Sequence, residues 1–401
     1  MSWEKVRLGD VTDSCLGKML DKAKNKGEYQ PYLANVDVRW GSFNLDNLSE
    51  MRFEDNEQER YGLKYGDLVI CEGGEPGRCA IWKDQIPNMK IQKALHRVRV
   101  HDCLDYRFLY YWFLLAGKTG ALEQYFTGAT IKHMPGEKLR SVLIDMPPIE
   151  VQRHIANILW VYDDLIENNQ KQIKLLEEAA QRLYKEWFVD LRFPGHETTP
   201  IVNGVPEGWR VDRADSFFDM SIGKTPPRAE KQWFTDGTTG TPWVSISDMG
   251  SSGVYVFHTS EGLTEDAISK HNIKIVSADT VLLSFKLTVG RVSITTGNSC
   301  TNEAIAHFII KDSALREYVY LYLKCFEYDS LGNTSSISKA VNSKIVKGMP
   351  FIMPDTTVLS QFHQLLKPIF DEINNHQKAI IHLSEARDRL LPKLMSGEIE
   401  V

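Results

Sequence analysis

The 401-residue chain has little cysteine and no long hydrophobic run, and both shortages restrict what it can be. Its six cysteines form no CxxC pair and no zinc-ligand spacing, which predicts free thiols in a reducing cytoplasm and no structural zinc site. The longest apolar-rich run, residues 108–116, is about half as long as a membrane span. The N-terminal residues lack the apolar segment of a secretory signal. We therefore predict a cytoplasmic protein without a membrane partner.

Basic charge is also scarce. Lys and Arg total 47 against 53 Asp and Glu, which gives a net charge of −6. A protein that grips nucleic-acid phosphates by itself usually has a basic excess over the whole domain. If this chain binds DNA, its positive charge must be concentrated locally, or a partner must supply much of the phosphate contact.

Catalytic motifs are missing as well. A methyltransferase would need a glycine-rich cofactor loop and an Asp/Asn-Pro-Pro-aromatic tetrapeptide, and residues 146–149 lack both the polar lead and the aromatic end. Gly223-Lys224-Thr225 ends like a nucleotide-binding loop, but Phe218 stands where the first glycine is required. No acidic cluster is followed closely by a lysine, as a metal nuclease requires. We predict a non-catalytic chain with no metal and no cofactor.

The sequence does contain an internal repeat, which decides the fold class. Its two halves match at an offset that drifts between about 206 and 213 residues, as in a duplicated domain whose loops differ in length. The matches are Trp3 with Trp209, Gly17-Lys18 with Gly223-Lys224, 31–33 with 242–244, 66–70 with 278–282, Gly77-Arg78 with Gly290-Arg291, and Met146-Pro147 with Met353-Pro354.

Each half follows one plan. About 150 residues of mixed sequence come first, with short β-like runs between turn residues, and then a proline precedes a long helical pattern. The clearest β-like runs are 67–71, 95–100, 243–246, 280–284 and 304–310. We predict an α+β chain with domains at 1–150 and 207–356, helices in 151–192 and 357–401, and a linker at 193–206.

The two helical patterns carry matched apolar stripes at alternating spacings of four and three. The first stripe is Ile155, Leu159, Tyr162, Ile166, Ile173, Leu176, Ala180, Leu183 and Trp187, and adding 207 gives Phe362, Leu366, Ile369, Ile373, Ile380, Leu383, Leu390 and Leu394. A heptad pattern that continues over such a length predicts a coiled coil. Asn169 and His376 interrupt the stripes at matched places and are predicted to fix the register. The alternative is two ordinary amphipathic helices, each buried separately.

Prolines qualify the second helix. Pro368 is expected to kink it or to mark its first turn. Pro392 is expected to end it near Leu390, which would leave Leu394 beyond the helix. Arg387 is the other polar member of the second stripe.

Two segments next to these helices resemble the spacers of a known family, the specificity subunits of type I restriction–modification systems. They are residues 183–195, Leu-Tyr-Lys-Glu-Trp-Phe-Val-Asp-Leu-Arg-Phe-Pro-Gly, and residues 390–399, Leu-Leu-Pro-Lys-Leu-Met-Ser-Gly-Glu-Ile. Residues 222–227, 243–249, 287–292 and 301–305 are similar to the family's target-recognition domains. The resemblance covers essentially the full length. The first half departs most, because residues 71–78 replace the more usual basic strand-end loop.

The resemblance implies two similar mixed α/β target-recognition domains separated by a long antiparallel two-helix coiled coil. Each domain would read one half of a split, asymmetric target on double-stranded DNA, and the helices would dock two methyltransferase subunits and then the restriction subunits. Helices of about 33 residues are about 50 Å long, so they would hold the reading domains about one to one and a half turns of DNA apart.

Candidate DNA-contacting residues fall into two groups. Lysines and arginines in matched loops would position phosphates: Lys18, Lys22, Lys24 and Lys26, then Lys224, Arg228 and Lys231. Candidate base readers are Arg39, Arg78, Gln92 and Lys93, then Ser245, Ser247, Asp248, Lys286, Arg291, Asn302 and Glu303. For each single residue the alternative is a surface or fold-stabilising role.

Two other functions compete with DNA specificity. A coiled-coil protein-interaction scaffold would explain the helices but not the two large aromatic-rich domains. A fused nuclease–methyltransferase with a degenerate catalytic half would need a catalytic motif, and the sequence supplies none.

Overall fold

The structure, a computed structural model, describes residues 3–21, 25–331 and 342–401. The chain folds into two compact units, residues 1–166 with 382–401 and residues 167–381. In the described parts of the chain, no helix has the combined length and apolar character that crossing a membrane requires.

The first unit contains a four-stranded sheet in the order β2-β10-β7-β8, a three-stranded sheet β6-β3-β9, and the pairs β1-β11 and β4-β5. Its strands are β1 (Glu4–Arg7), β2 (Thr12–Leu16), β3 (Glu28–Leu33), β4 (Val38–Arg39), β5 (Ser42–Phe43), β6 (Ser49–Phe53), β7 (Leu68–Cys71), β8 (Cys79–Ile81), β9 (Lys90–Ile91), β10 (Leu95–Val100) and β11 (Leu143–Met146). Its short helices are α1 (Gln58–Tyr61), α2 (Tyr106–Thr119) and α3 (Gly136–Arg140), and the long helix α4 (Ile149–Tyr184) begins here.

The second unit contains a five-stranded sheet β15-β23-β20-β21-β18, a four-stranded sheet β16-β19-β17-β22, and the pairs β14-β24 and β12-β13. Its strands are β12 (Ile201–Val202), β13 (Val205–Pro206), β14 (Arg210–Arg213), β15 (Asp219–Ile222), β16 (Phe234–Thr235), β17 (Thr241–Val244), β18 (Tyr255–Val256), β19 (Glu261–Leu263), β20 (Val281–Ser284), β21 (Val292–Thr295), β22 (Cys300–Thr301), β23 (Ile305–Ile309) and β24 (Pro350–Met353). Its helices are α5 (Ala214–Phe217), α6 (Ile246–Ser252), α7 (Glu265–His271), α8 (Arg316–Cys325) and α9 (Ser343–Lys347), and α10 (Thr356–Met395) begins here.

The predicted repeat is confirmed strand by strand. The order β2-β10-β7-β8 of the first unit returns as β15-β23-β20-β21, and β6-β3-β9 returns as β19-β17-β22. Matched glycines make matched bonds: Gly17 N donates to Leu95 O at 2.9 Å, and Gly223 N donates to Ile305 O at 3.1 Å. Equivalent backbone bonds at the same places show that the two halves share one architecture.

The central strands form because their residues are apolar and buried on both faces. Every residue of β7 and of β20 is buried. The predicted strand at 243–246 is too long, because the strand ends at Val244 and Ser245 caps helix α6. The Ser245 hydroxyl accepts a hydrogen bond from Asp248 N, which satisfies a free N–H of the first turn.

The two long helices pair in antiparallel fashion within each unit, as the matched heptads and the resemblance predict. In the second unit His376 lies against Asn169, with 2.6 Å between Nδ1 and Oδ1, and the Trp187 and Phe362 rings lie 5.5 Å apart. In the first unit Arg387 Nη1 donates to Asp163 Oδ1 at 2.5 Å. The alternative of two separately buried helices is wrong.

Both prolines of the second helix lie inside it, so Pro392 does not end the helix and Pro368 does not mark its first turn, while a kink at Pro368 stays a prediction. Helix α10 runs unbroken through Pro368 and Pro392 to Met395. A proline inside a helix costs about 3 kcal/mol, but Leu366 and Phe370 are fully buried beside Pro368, and this burial offsets the cost. Leu394 therefore lies within the helix and is buried in the core of the first unit.

The spacer-like segments anchor the helices to hydrophobic cores. A π-helical turn, Lys185–Val189, follows α4 and buries Trp187 and Phe188. The centre of the Phe188 ring lies 4.7 Å from the ring centres of Tyr318 and Phe362. In the C-terminal tail, Leu391 and Met395 are buried in the first unit, beside α2.

The stretch predicted as a linker, 193–206, contains a short hairpin. Its strands β12 and β13 pair through a turn at Asn203-Gly204, where both residues have positive φ. Asn-Gly is the usual dipeptide for such a turn, because Asn and Gly tolerate this backbone conformation. The domain boundaries given above stay a prediction.

Candidate nucleic-acid interface

In each unit, the loops that follow three strands meet one tight turn at the same end of the sheets. We call these surfaces the first strand-end edge (residues 17–21, 34–37, 72–78 and 92–94) and the second strand-end edge (residues 223–225, 245–248, 285–291 and 302–304). The turn at 92–94 is joined to its neighbours by backbone bonds, with Glu72 N donating to Ala94 O at 2.8 Å and Lys93 N to Lys18 O at 2.8 Å.

The two edges have the same backbone. The equivalent bonds are Gln92 N to Leu33 O (3.0 Å) with Asn302 N to Val244 O (3.1 Å), and Glu72 N to Ala94 O (2.8 Å) with Phe285 N to Ala304 O (2.9 Å). Residues 92–94 of the first edge therefore correspond one by one to residues 302–304 of the second.

The side chains on this shared turn differ in size and charge. Gln92 is half-buried and Lys93 is exposed, whereas Asn302 is half-buried and Glu303 is exposed. The Asn302 Oδ1 accepts a bond from Ala304 N at 3.0 Å, and Glu303 accepts a bond from the Thr225 hydroxyl. Each turn thus carries two predicted base readers, and the pair on one domain differs from the pair on the other.

Lys18 is not available to phosphates, so its prediction as a phosphate contact is wrong. Its side chain is only 4% exposed; Nζ lies 2.5 Å from Glu57 and donates to Arg52 O at 2.8 Å. Burial opposes ionisation of Glu57, but the hydrogen bond from Lys18 still lowers the pKa of that carboxyl below its usual value. Drawing Lys18 out to a phosphate would leave the Glu57 carboxylate without its buried partner, so this lysine is held within the domain.

The other predicted phosphate contacts are mostly exposed. Lys26 and Lys231 are exposed, and Lys224 is exposed while its Nζ donates to His271 O at 2.5 Å. Lys22 and Lys24 lie outside the described residues.

Arg78 and Arg291 make the same contact in the two domains. Arg78 Nη2 donates to Asn35 O at 3.2 Å, and Arg291 Nη1 donates to Ile246 O at 2.6 Å, at equivalent backbone positions. Arg78 also pairs with Glu75 through Nη1 at 3.0 Å. Both terminal nitrogens of Arg78 are thus engaged within the domain, whereas this contact of Arg291 uses Nη1 alone, and base reading by the two arginines stays a prediction.

Two further predicted base readers hold the start of helix α6. Asp248 is 7% exposed and accepts bonds from Ser245 N at 2.8 Å and from Ser260 N at 3.0 Å. Its carboxylate is filled by backbone donors, so the prediction that it reads a base is wrong. Ser247, on the same turn, is exposed.

Two predicted arginines are partly engaged on the surface. Arg228 pairs with Glu261 at 2.7 Å, and its guanidinium lies 4.5 Å from the centre of the Trp243 ring. Arg39 is exposed, and its Nη1 donates to Val36 O at 2.5 Å. Both hydrogen bonds are made through Nη1, so they do not use Nε or Nη2 of either arginine.

A groove of about 470 Å³ opens on the first strand-end edge. It is lined by Met19, Leu20, Asn35, Glu72, Gly73, Gly74, Gln92, Lys93, Ala94 and His133. The groove therefore combines amide, ammonium and imidazole groups with exposed apolar side chains. Such a mixture suits base edges, which offer both hydrogen-bonding atoms and methyl groups.

A hairpin that was not predicted from the sequence contributes His133 to this groove. Thr127 N donates to His133 O at 2.7 Å, and His133 N donates to Thr127 O at 2.9 Å. Ile131, near the hairpin tip, is 64% exposed. A faint signal existed, because Thr130-Ile131-Lys132 has a counterpart in residues 336–339, Ser-Ile-Ser-Lys, which lie outside the described residues.

One buried histidine behind the second strand-end edge has a lowered pKa. His307, behind the second edge, is fully buried between the hydroxyls of Ser221 and Thr301, and burial lowers its pKa to about 4. It is therefore neutral at physiological pH and does not face the edge. In the described ranges, no three His, Cys, Asp or Glu side chains are grouped as a metal site would need.

Comparison with known proteins agrees with this arrangement. The chain matches the sequence model described as "Type I restriction modification DNA specificity domain" twice, over residues 1–178 and 206–383. It is 29% identical over 351 residues to the type I restriction enzyme MjaIX specificity subunit of Methanocaldococcus jannaschii, covering 84% of this chain and 78% of that protein. It is 24% identical to the HindI specificity subunit of Haemophilus influenzae, with 99% of both chains covered.

The fold also has a solved counterpart. The crystal structure of a type I restriction–modification S subunit from M. genitalium aligns with a TM-score of 0.56. The alignment covers 98% of this chain and 96% of the other, at 16% sequence identity. At that identity the likeness establishes the fold, and the two domain matches establish the duplication.

Proposed function

This chain belongs to the type I restriction modification DNA specificity family, and from that membership we propose that its two domains read the two unequal halves of one bipartite DNA sequence. The chain is the DNA-specificity subunit of a type I restriction–modification system. Within it, the two strand-end edges are the reading surfaces, and double-stranded DNA is the ligand.

One observation carries the proposal: the same backbone presents different side chains on the two edges. Gln92 and Lys93 stand where Asn302 and Glu303 stand in the other half, at the ends of equivalent backbone bonds. Amide and charged side chains distinguish base pairs through their donors and acceptors in the major groove. Two domains with the same backbone and different base-contacting side chains recognise half-sites that differ in sequence, whereas a homodimer would read a palindrome.

The long helices are proposed as the docking site for two methyltransferase subunits, with restriction subunits joining in the full complex. Ile158, Val161 and Leu165 of α4 are 37%, 57% and 44% exposed, at spacings of three and four that place them on one helix face. An exposed apolar helix face of this kind favours a helical partner. Two repeats in one chain would provide two such sites.

The chemistry is proposed to belong to those other subunits. The relatives are named as specificity subunits, and the edges of this chain offer binding groups. Methyl transfer and ATP-driven cleavage would then occur in the partner subunits, in the cytoplasm. The partners would also supply much of the phosphate contact that a chain of net charge −6 cannot make alone.

The test is to purify the chain with its neighbouring methyltransferase subunits and select bound duplexes from a randomised library. The proposal expects a motif of two unequal blocks and a specific affinity at least 1,000-fold above that for random DNA, the order of magnitude typical of sequence-specific proteins. A ratio near one would favour the protein-interaction scaffold.

Two variants serve as controls for each other. Gln92→Ala should relax specificity at a position in one block only, and Asn302→Ala at a position in the other block only. Each lost bidentate contact should reduce discrimination by about 1–3 kcal/mol at its own base pair. Loss of both blocks by either variant would contradict separate reading by the two domains.

A further inference from the structure

We propose that Leu287 is an apolar base contact of the second domain, which recognises the C5-methyl group of a thymine in its half-site. The inference rests on the proposed function and adds a specificity-determining residue to it. Three features of Leu287 support this role: its backbone conformation, its exposure and its place on the second strand-end edge.

The backbone at Leu287 is left-handed, which disfavours every residue with a side chain. Its φ is +60°, whereas the equivalent residue of the first domain, Gly74, has φ +74°. The loops match without a gap, since Gly77-Arg78 falls on Gly290-Arg291 at the same offset of 213. This conformation is easy for glycine and unfavourable for leucine. The first domain has the unstrained residue at this position, and the second domain has one that must be held there.

The side chain gains nothing for stability in return. Leu287 is 82% exposed, although a leucine stabilises a fold mainly by being buried. Two hydrogen bonds close the loop around it: the Ser284 hydroxyl donates to Thr288 O at 2.5 Å, and Gly290 N donates to Ser284 O at 3.0 Å. Phe285, at the start of this loop, is buried. A strained, exposed leucine on a fixed loop is typical of a contact made with a ligand.

Leu287 also lies beside the turn that carries the proposed base readers. Phe285, two residues before it, donates its N–H to Ala304 O of that turn at 2.9 Å. In the first domain the equivalent Gly74 lines the groove together with Gln92 and Lys93. The same position in the second domain therefore belongs to the reading surface.

The chemistry of the neighbourhood favours a thymine methyl group. Asparagine amides pair naturally with adenine in the major groove, and the same A·T pair presents the thymine methyl there. Asn302 supplies the amide and Leu287 supplies the apolar contact from the adjacent loop. Lys286, half-buried against Phe285, is next in sequence and close enough to the surface to meet a phosphate. An exposed leucine can also insert between base steps. The deoxyuridine substitution described below distinguishes that insertion from a contact with the methyl group.

The first experiment compares wild type, Leu287→Gly and the control Val211→Ala in the complex with methyltransferase subunits. Val211 is also an exposed apolar residue, 54% exposed, but lies on β14, outside the second strand-end edge. Leu287→Gly should melt at the same or a higher temperature, because the strain is removed. Its affinity for the motif selected by wild type should fall about 5- to 30-fold, with affinity for random duplex unchanged. Unchanged affinity for the motif would overturn the proposal.

The second experiment replaces single thymines of the selected motif by deoxyuridine, which lacks only the methyl group. Wild type should lose about 3- to 10-fold in affinity at one position of one block, and Leu287→Gly should be indifferent to the change there. If no position shows this difference, or if Leu287→Gly weakens binding without it, Leu287 does not read a methyl group. A wild-type complex without any sequence preference would instead refute the proposed function itself, whatever the variants do.

Discussion

His376 Nδ1 lies 2.6 Å from Asn169 Oδ1, so the two polar residues that interrupt the apolar stripes face each other across the paired helices. They are 207 positions apart, which is the offset that relates the two stripes in the sequence. The amide oxygen can only accept, so Nδ1 of His376 carries the hydrogen. A polar pair in an apolar seam penalises every other register, because a shifted helix would place each partner against leucine or isoleucine.

Replacing Asn169 with leucine should leave the melting temperature unchanged or raise it, while loosening the register. Both residues are half-buried, so His376 can bond to water when its partner is lost. Hydrogen exchange of the α4 amides measures the loss of register, and the exchange rate should increase near residue 169. His376→Leu in the same background should restore an apolar seam. A fall of many degrees in melting temperature would show that the pair carries stability rather than register.

Lys18 and Lys93 should separate stability from DNA binding. Lys18→Met breaks a buried pair and should lower the free energy of unfolding by about 2–3 kcal/mol, with the salt dependence of DNA binding unchanged. Lys93→Ala removes an exposed charge and should leave stability within about 0.5 kcal/mol. If Lys93 contacts a phosphate, the slope of log affinity against log salt should fall by about 0.9. A slope that changes in Lys18→Met and not in Lys93→Ala would reverse the assignment.

The Lys18 pair should also respond to acid. The folded pKa of Glu57 lies below its usual value of 4.5, so its contribution is complete above pH 4.5 and is lost as the pH falls through the folded pKa. Lys18→Met should remove this part of the acid sensitivity. Urea denaturation of both proteins between pH 6 and pH 3 measures it, and parallel curves would contradict the prediction.

His307 should make the second unit acid-sensitive in a different range. Burial lowers its folded pKa to about 4, below the ordinary 6.5, so the unfolded chain takes up the proton first as the pH falls. The free energy of unfolding should therefore decline between pH 6.5 and pH 4, by about 3 kcal/mol at 1.36 kcal/mol per pKa unit, and level off below. Hydrogen exchange of the β23 amides follows this unit alone. His307→Asn should flatten the decline, and a decline that persists in the variant would assign it elsewhere.

The unread gap in the DNA motif should depend on helix length. Inserting one heptad in α4 after Ile166 and one in α10 after Ile381 keeps the Asn169–His376 and Asp163–Arg387 pairs. Seven residues add about 10.5 Å, or about three base pairs at 3.4 Å each. Methylation mapping should show both blocks unchanged and the gap enlarged. A heptad in α4 alone should lower the melting temperature, and an unchanged gap in the double insertion would refute the helices as a spacer.

The heptads could be read from sequence because a helix stripe repeats every three or four residues and needs no knowledge of its partner. The sequence also predicted that Asn169 and His376, at matched places in the stripes, fix the register, but that they face each other is seen only in the structure. Pro392 was wrongly expected to end the second helix, and Pro368 does not mark its first turn, since a proline costs a helix about 3 kcal/mol and the buried neighbours in α10 offset this cost. The strand predicted at 243–246 is too long because Ser245 caps helix α6. A capping serine cannot be told from a strand residue by its sequence position alone.

The candidate site, like the fold, could be predicted only in part from the sequence. Residue type and repeat position found the turn at 92–94 and its counterpart at 302–304, but they could not tell Lys93, which is exposed, from Lys18, which is buried against Glu57. Arg78 and Arg291 have the residue type that reads guanine, yet both donate to backbone carbonyls inside the domain.

The duplication, the paired helices and the family could be inferred from residue order alone, because each is a periodic or repeated pattern along the chain. Which polar side chains face outward, which are engaged within a domain, and the exposure and backbone angle of Leu287 became known from the folded chain. A side chain's surroundings are set by residues distant in sequence, and a backbone angle is set by the loop that closes around it, so neither appears in a local pattern.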